Sequence, residues 1–317
     1  MTAGWRTMAS SLAGSRHREH QRRCEDAIGY RVLGRTGSLA IVVADGAGSA
    51  ARGRDGADTA VATLLAGLAA IDADLASGAL AVAADDALHT RLQQLLHDGH
   101  HALVARAAEL GCPVRDTSCT AAAVLVRADV ALVAQIGDVG TTLVAPDGEM
   151  RLVIPPVRGE YANQTEFLSS WPPMNLDRAT AVVHDPVAAV IVHSDGLNEV
   201  FYDDPFGQMR PARRLLERLL DGLRMAAPDA DMDRELEGFL LGAPVQARSS
   251  DDLSVVIACR RPLSEPEPTP VSAADDHDAP APDLPPAPPA VAAGPNLHVA
   301  PTGGARGILE RFLRRRK

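Results

Sequence analysis

The sequence predicts an α+β domain built on antiparallel sheet. Three observations carry this. Ser118 to Val126 and Val130 to Ile136 are apolar strands joined by the hairpin-length link Arg127-Ala128-Asp129. The long helical patterns are confined to a stretch before them, so no helix crosses over between these strands. Other apolar runs stop abruptly at Asp-Gly, as strands do when they end in a tight turn.

Taken in order, Ser15 to Asp26 is a strongly charged segment, basic until it closes on Glu25-Asp26. It reads either as a solvated stretch or as basic groups that meet a phosphate beside a carboxylate. Ile28 to Leu33 alternates weakly and can pair with Leu39 to Ala44, a buried strand that delivers Asp45 to the turn Gly46-Ala47-Gly48. Asp55 to Leu68 and Asp85 to Leu110 have helical spacing and high alanine content. After the hairpin, Gly137-Asp138-Val139-Gly140 leads to Thr141 to Val144, then to a turn at Pro146-Asp147-Gly148 and a short strand from Met150 to Ile154, as if continuing one meander. Asp138 reads as a turn carboxylate that bonds nearby amides. Residues 155 to 173 form a polar loop anchored by Tyr161 and Phe167, either a specificity flap or a surface excursion. Ala188 to Leu197 repeats the strand-to-Asp-Gly theme at Asp195-Gly196, and Leu215, Leu216, Leu219, Leu220 and Leu223 mark one face of an amphipathic helix. Ser249-Ser250-Asp251-Asp252 then precedes the last strand, Leu253 to Ala258.

The chain has 317 residues, 46% of them hydrophobic and only 3% aromatic, so a core must be built from Ala, Val and Leu. A formal net charge of -10 argues against general nucleic-acid binding and permits a cation site. Cys24, Cys112, Cys119 and Cys259 are scattered, which indicates neither a disulfide framework nor structural zinc. Without a signal core or an uninterrupted apolar stretch of spanning length, the expectation is a cytoplasmic protein.

Gly46-Ala47-Gly48-Ser49-Ala50-Ala51 also fits a dinucleotide-binding fingerprint. That fold needs a second parallel strand ending in an acid about 20 positions on. Asp72 and Asp74 lie near that distance but inside continued helix, so this reading fails. The strand-edge carboxylates Asp26, Asp45, Asp195 and Asp251 point elsewhere. With no Cys or His cluster beside them, an all-oxygen set favours Mg²⁺ or Mn²⁺. A pair of such ions about 4 Å apart can bind a phosphoryl group and activate water without a protein nucleophile.

The ordered set Cys24-Glu25-Asp26-Ala27, Val43-Ala44-Asp45-Gly46-Ala47-Gly48-Ser49-Ala50, Ile136-Gly137-Asp138, His193-Ser194-Asp195-Gly196 and Ser250-Asp251-Asp252-Leu253-Ser254 resembles the metal-dependent PP2C-type serine/threonine phosphatases. Ser15-Arg16-His17, Asp45-Gly46-Ala47-Gly48-Ser49 and Gly159 to Thr165 resemble a bacterial branch of them. The resemblance implies an α-β-β-α sandwich of two antiparallel sheets flanked by helices, with two Mn²⁺ or Mg²⁺ ions in a cleft at one edge. It implies Asp26, Asp45, Asp195 and Asp251 as metal ligands, with Asp45 bridging both ions, the Gly46 carbonyl as a further ligand, and Glu25 in support through water. Asp45, Asp26 and Asp195 are thus the candidate catalytic residues. Asp116 is a candidate for a third, weaker metal site.

Two departures bear on activity. Many relatives place a phosphate-binding arginine where this chain has Gln21, which leaves His17, Arg18 and Arg22 as candidates for that task. A histidine positioned as general acid has no clear counterpart. Two functions are therefore weighed: a phosphatase acting on phosphoserine and phosphothreonine of proteins, a kinase or its target among them, and a silent module that binds a phosphorylated or kinase partner. Domain boundaries are set at 1–12 for an N-terminal extension, 13–261 for the phosphatase-like domain, 262–302 for a disordered Pro/Ala-rich acidic linker, and 303–317 for a basic amphipathic segment. The last suits an anionic membrane surface or an acidic protein groove.

Overall fold

The computed structural model describes residues 4–156, 166–173, 176–204, 208–227 and 230–261. Two five-stranded antiparallel sheets face each other. The first has the order β1 (Trp5–Leu12), β12 (Leu253–Arg260), β9 (Ala189–His193), β6 (Gly140–Val144), β7 (Met150–Leu152). The second runs β2 (Ala27–Leu33), β3 (Ser38–Gly46), β4 (Cys119–Val126), β5 (Ala131–Ile136), β8 (Thr180–Val183). Helices α2 (Gly53–Ser77) and α3 (Asp85–Leu110) cover the second sheet, and α5 (Arg213–Met225) and α6 (Met232–Leu240) cover the first. The short α1 (Ser15–Glu19), α4 (Asn198–Phe201) and α7 (Ala243–Gln246) and the ribbon β10 (Tyr202–Asp203), β11 (Arg210–Pro211) complete the described chain. This is the α-β-β-α sandwich expected.

Residue parity along each strand decides which layer it fills. In β3, Ala40, Val42 and Ala44 pack under the helices while Leu39, Ile41 and Val43 face the other sheet. In β12, Leu253, Val255, Ile257 and Cys259 meet α5 and α6, and Val256 and Ala258 turn inward. The strands are apolar on both faces because both faces are covered, and β4 is buried along its whole length. The small Ala residues of β3 and β4 let α2 lie close to the sheet. Although α2 is long and apolar enough to cross a membrane by length and composition, its buried face is taken up by β3, β4 and α3.

Two expectations are corrected. Trp5–Leu12, assigned to an extension outside the domain, is a full strand in register with β12, from Trp5 opposite Arg260 to Leu12 opposite Leu253. Its Ser, Thr and Arg content hides the alternation that seats Trp5 and Ala9 inward and Met8 outward. The run from β4 to β7 is also not one meander. At Gly137, whose φ of +91° is a left-handed conformation suited to glycine, the chain leaves the second sheet, and β6 pairs with β9 of the first. The basic segment 303–317, the linker 262–302 and the loop tip with Tyr161 lie outside the described residues.

Asp72, the acid a nucleotide site would have required, is buried and holds the β2–β3 turn. It accepts hydrogen bonds from Ser38 Oγ at 2.9 Å, Thr36 Oγ1 at 2.7 Å and Arg127 Nη1 at 2.6 Å.

Candidate metal centre

The pleat carries the acidic side chains to one end of the sandwich. Asp45 shares parity with Leu39, Ile41 and Val43 and therefore points between the sheets; Asp26, just ahead of β2, shares parity with the inward Ile28. Asp195 opens a 3₁₀ turn immediately after β9, and Asp251 and Asp252 sit just before β12. Since β9 and β12 are neighbours in the first sheet and β2 and β3 in the second, these chain ends converge across the interlayer gap. The Ser194 hydroxyl just after β9 and the Ser254 hydroxyl of β12 bear on the Asp26 carboxylate of the second sheet.

Electrostatics record the crowding. Burial, then the charge of Asp252, raises Asp26 to about 7, partly offset by the two serine hydroxyls. Burial also holds Asp45 well above the carboxylate range, with Asp26 and Asp195 adding repulsion and Asp138 contributing further. Asp195 is raised by burial, with Asp251 and Asp252 adding to the effect. The Asp45 and Asp195 carboxyls also act on each other directly, which raises Asp45 further and partly offsets the rise of Asp195. Asp26 Oδ2 is buried with no partner, as is Thr120 Oγ1, which lies opposite Asp45 in the β3–β4 register.

Such a set suits a hard divalent cation. Carboxylate oxygens that repel and a lone buried oxygen are features a cation would satisfy. Among the described residues no three His, Cys, Asp or Glu side chains are already gathered closely enough to hold a metal ion. Glycine is required where the segments touch. A Cβ on Gly46 would lie 2.6 Å from Glu25 O, and one on Gly196 would lie 2.1 Å from Asp252 O.

The other expected residues are placed as follows. Asp251 is exposed beside the cluster, and its Oδ1 accepts the Asp252 amide at 2.9 Å. Glu25 presents a buried, unpartnered Oε2 while its Oε1 accepts from Arg22 Nη2. His17 is buried, with Nδ1 on Asp252 at 2.8 Å, and so supports the centre from behind. Arg18 is tied to Ala13 O and Gln246 Oε1. Of the three phosphate candidates, His17 bonds Asp252 and Arg22 bonds Glu25, while Arg18 bonds neither. Asp116 lies in a 3₁₀ turn whose carbonyl accepts from Arg52 N at 2.7 Å, next to the glycine turn and outside the coupled carboxylates. Asp138, read as an ordinary turn carboxylate, bears electrostatically on Asp45.

Asp252 is the residue that sequence reasoning missed. It is 3% exposed and accepts from Gly14 N at 2.7 Å, Glu25 N at 2.6 Å and His17 Nδ1. One carboxylate thus pins the N-terminal segment against the start of β12. Its signal was available: it shares inward parity with Ser254 and Val256. Beneath the cluster, His193 donates from Nδ1 to Ser194 O at 2.9 Å, and burial lowers its pKa to about 4.

Residues 13–241 match the sequence profile described as protein phosphatase 2C. The chain belongs to the protein phosphatase 2C family. Serine/threonine-protein phosphatase 3 of Escherichia coli K12 is 32% identical over 168 residues, covering 52% of this chain and 63% of that relative's length. A bacterial serine phosphatase superposes with a TM-score of 0.54 at 14% identity, covering 80% of this chain and 97% of that one. Stp1 of Staphylococcus aureus gives 0.52 at 15% identity over 83% and 98%. These likenesses carry the PP2C fold; the matched profile ends short of both β1 and β12, which this PP2C chain pairs with each other.

Proposed function

We propose that this PP2C-family chain hydrolyses phosphoserine and phosphothreonine monoesters of proteins, a serine/threonine kinase or its target among them, with two Mn²⁺ or Mg²⁺ ions. The observation that carries this reading is the convergence of the buried, mutually repelling Asp26, Asp45 and Asp195 carboxylates around the bare Oδ2 of Asp26. Asp26, Asp45, Asp195 and Asp251 would hold the ions, with the Gly46 carbonyl at the turn. When bound, the ions supply Lewis-acid polarisation of the phosphoryl group and activation of water at neutral pH. Glu25 keeps a buried, unpartnered oxygen beside the site, and the Asp252 carboxylate accepts from the Glu25 amide, so position is transmitted from the start of β12 to the Glu25-Asp26 pair. Arg22 brings a guanidinium to the cluster rim and is suited to meet a phosphate oxygen.

The test is hydrolysis of an aryl phosphate and of a phosphothreonine peptide by the intact chain, with Mn²⁺ and with EDTA. Metal-dependent turnover that Asp45→Asn reduces by at least about a hundredfold is expected. Turnover no greater than that of the Asp45→Asn protein would leave the silent binding module as the better account.

A further inference from the structure

On the far face of the second sheet, α3 carries His97, His100 and His101, none of which the carboxylate centre uses. Positions four apart on a helix stand one above the other. The Nε2 atoms of His97 and His101 are 3.0 Å apart, and their rings meet edge to face at 82° with centroids 4.3 Å apart. One Nε2 therefore carries the proton and the other the lone pair. Gln94 Nε2 donates to His97 Nδ1 at 3.3 Å, which places the proton on His97 Nε2 and the lone pair on His101.

We propose that His97 and His101 form a two-histidine site for an imidazole-preferring divalent cation of the Cu²⁺ and Ni²⁺ class. With metal–nitrogen bonds of about 2.05 Å, two nitrogens 3.0 Å apart subtend about 94° at the ion. That is the cis angle of square-planar and octahedral coordination; a tetrahedral ion would need the nitrogens about 0.3 Å further apart. Loading requires no net proton loss. The His97 proton moves from Nε2 to Nδ1, where solvent accepts a hydrogen bond from it while the Gln94 amide keeps its 2.8 Å bond to Asp98 Oδ1, and both neutral imidazoles present lone pairs to the cation. Water fills the remaining positions, since His101 is exposed and His97 half-buried. Hard Mn²⁺ and Mg²⁺ prefer the carboxylates, so the two sites sort cations by chemistry.

The site adjoins the segment that leads out of the polar loop. The Trp171 indole lies 5.1 Å from the His97 ring and 6.2 Å from the His100 ring, and His100 Nδ1 donates to Leu168 O at 3.0 Å. A cation on His97 and His101 is thereby placed where α3 grips residues 168–171, and Trp171 becomes its reporter. The chain has one other tryptophan, Trp5, between the two sheets beneath Arg260.

The experiment titrates NiCl₂ into the intact chain held in excess Mg²⁺ while tryptophan emission is followed. A saturable quench with one-to-one stoichiometry is expected, retained in His100→Ala and absent in Trp171→Phe. His97→Ala and His101→Ala are expected to weaken the half-saturation concentration at least about tenfold. The Cu²⁺ complex should show hyperfine coupling to two nitrogens by electron paramagnetic resonance, falling to one in His101→Ala. Both histidines stand on a solvent-facing part of α3, and circular dichroism checks that the variants fold. Absence of saturable quenching, or quenching equal in His97→Ala and His101→Ala, overturns the assignment.

Discussion

Without divalent cations the carboxylate cluster should make this protein less stable as pH rises, and Asp26→Asn isolates the effect. Asp26 titrates near 3.8 when unfolded and at about 7 when folded. Between those values the native state holds one proton more than the unfolded state, so its contribution is fully present below 3.8 and is lost as pH climbs through about 7. Each pH unit is worth about 1.4 kcal/mol, so from pH 5 to the folded pKa the loss is about 3 kcal/mol. His193 works in the opposite sense. Its pKa falls from 6.5 to about 4 on folding, so it adds stability as pH rises through that interval. The two must not be read from one wild-type curve. Both proteins keep His193, so the difference between wild type and Asp26→Asn removes it. Urea unfolding in EDTA at pH 5 and pH 8 should show Asp26→Asn gaining about 3 kcal/mol on wild type between the two conditions. Loss of the Asp26 charge also relieves Asp45, which strengthens the trend. If the two proteins differ by the same amount at both pH values, the account of a desolvated, repelled carboxylate is refuted.

Saturating Mn²⁺ should reverse this penalty at pH 8, stabilising wild type by about 2.7 kcal/mol at a hundred times the dissociation constant, with little gain for Asp45→Asn; thermal melts with and without EDTA decide it. Gly196→Ala drives a Cβ to 2.1 Å from the Asp252 carbonyl, a backbone atom that cannot swing away, and should cost at least about 3 kcal/mol in denaturant unfolding while lowering Mn²⁺ affinity in calorimetry. His17→Ala leaves Asp252 with two amide donors in place of three partners, and a loss of about 2 kcal/mol is expected by urea titration.

What the sequence made legible was local. Runs such as Leu39 to Ala44 and Leu253 to Ala258 are long, β-branched and sharply ended, so strand identity and the delivery of Asp45 and Asp251 could be read directly. Parity then carries Asp26 and Asp45 inward without further information. Two other features depended on distant partners. Trp5–Leu12 is a strand because β12, some 240 residues later, offers it an edge, and its own polar residues give little hint of that. The move of Gly140–Val144 into the first sheet turns on a glycine conformation and on pairing with β9, and a hairpin-length spacing cannot reveal either. Asp252 was overlooked for a similar reason. Beside an acid assigned to metal it looks redundant, and its role is visible only once Gly14, His17 and Glu25 are seen to converge on it.

The pairing of β1 with β12 also has a bearing on how the protein is made. The first strand of the domain has its hydrogen-bonding partner in the domain's last strand, and Asp26 likewise waits for Asp195 and Asp252. Helices α2 and α3 with the second sheet can collapse early on local contacts, but the first sheet cannot close until Arg260 has emerged. The carboxylate cluster, drawn from both sheets, is therefore assembled last, and a nascent chain that stops before β12 has not yet brought those side chains together.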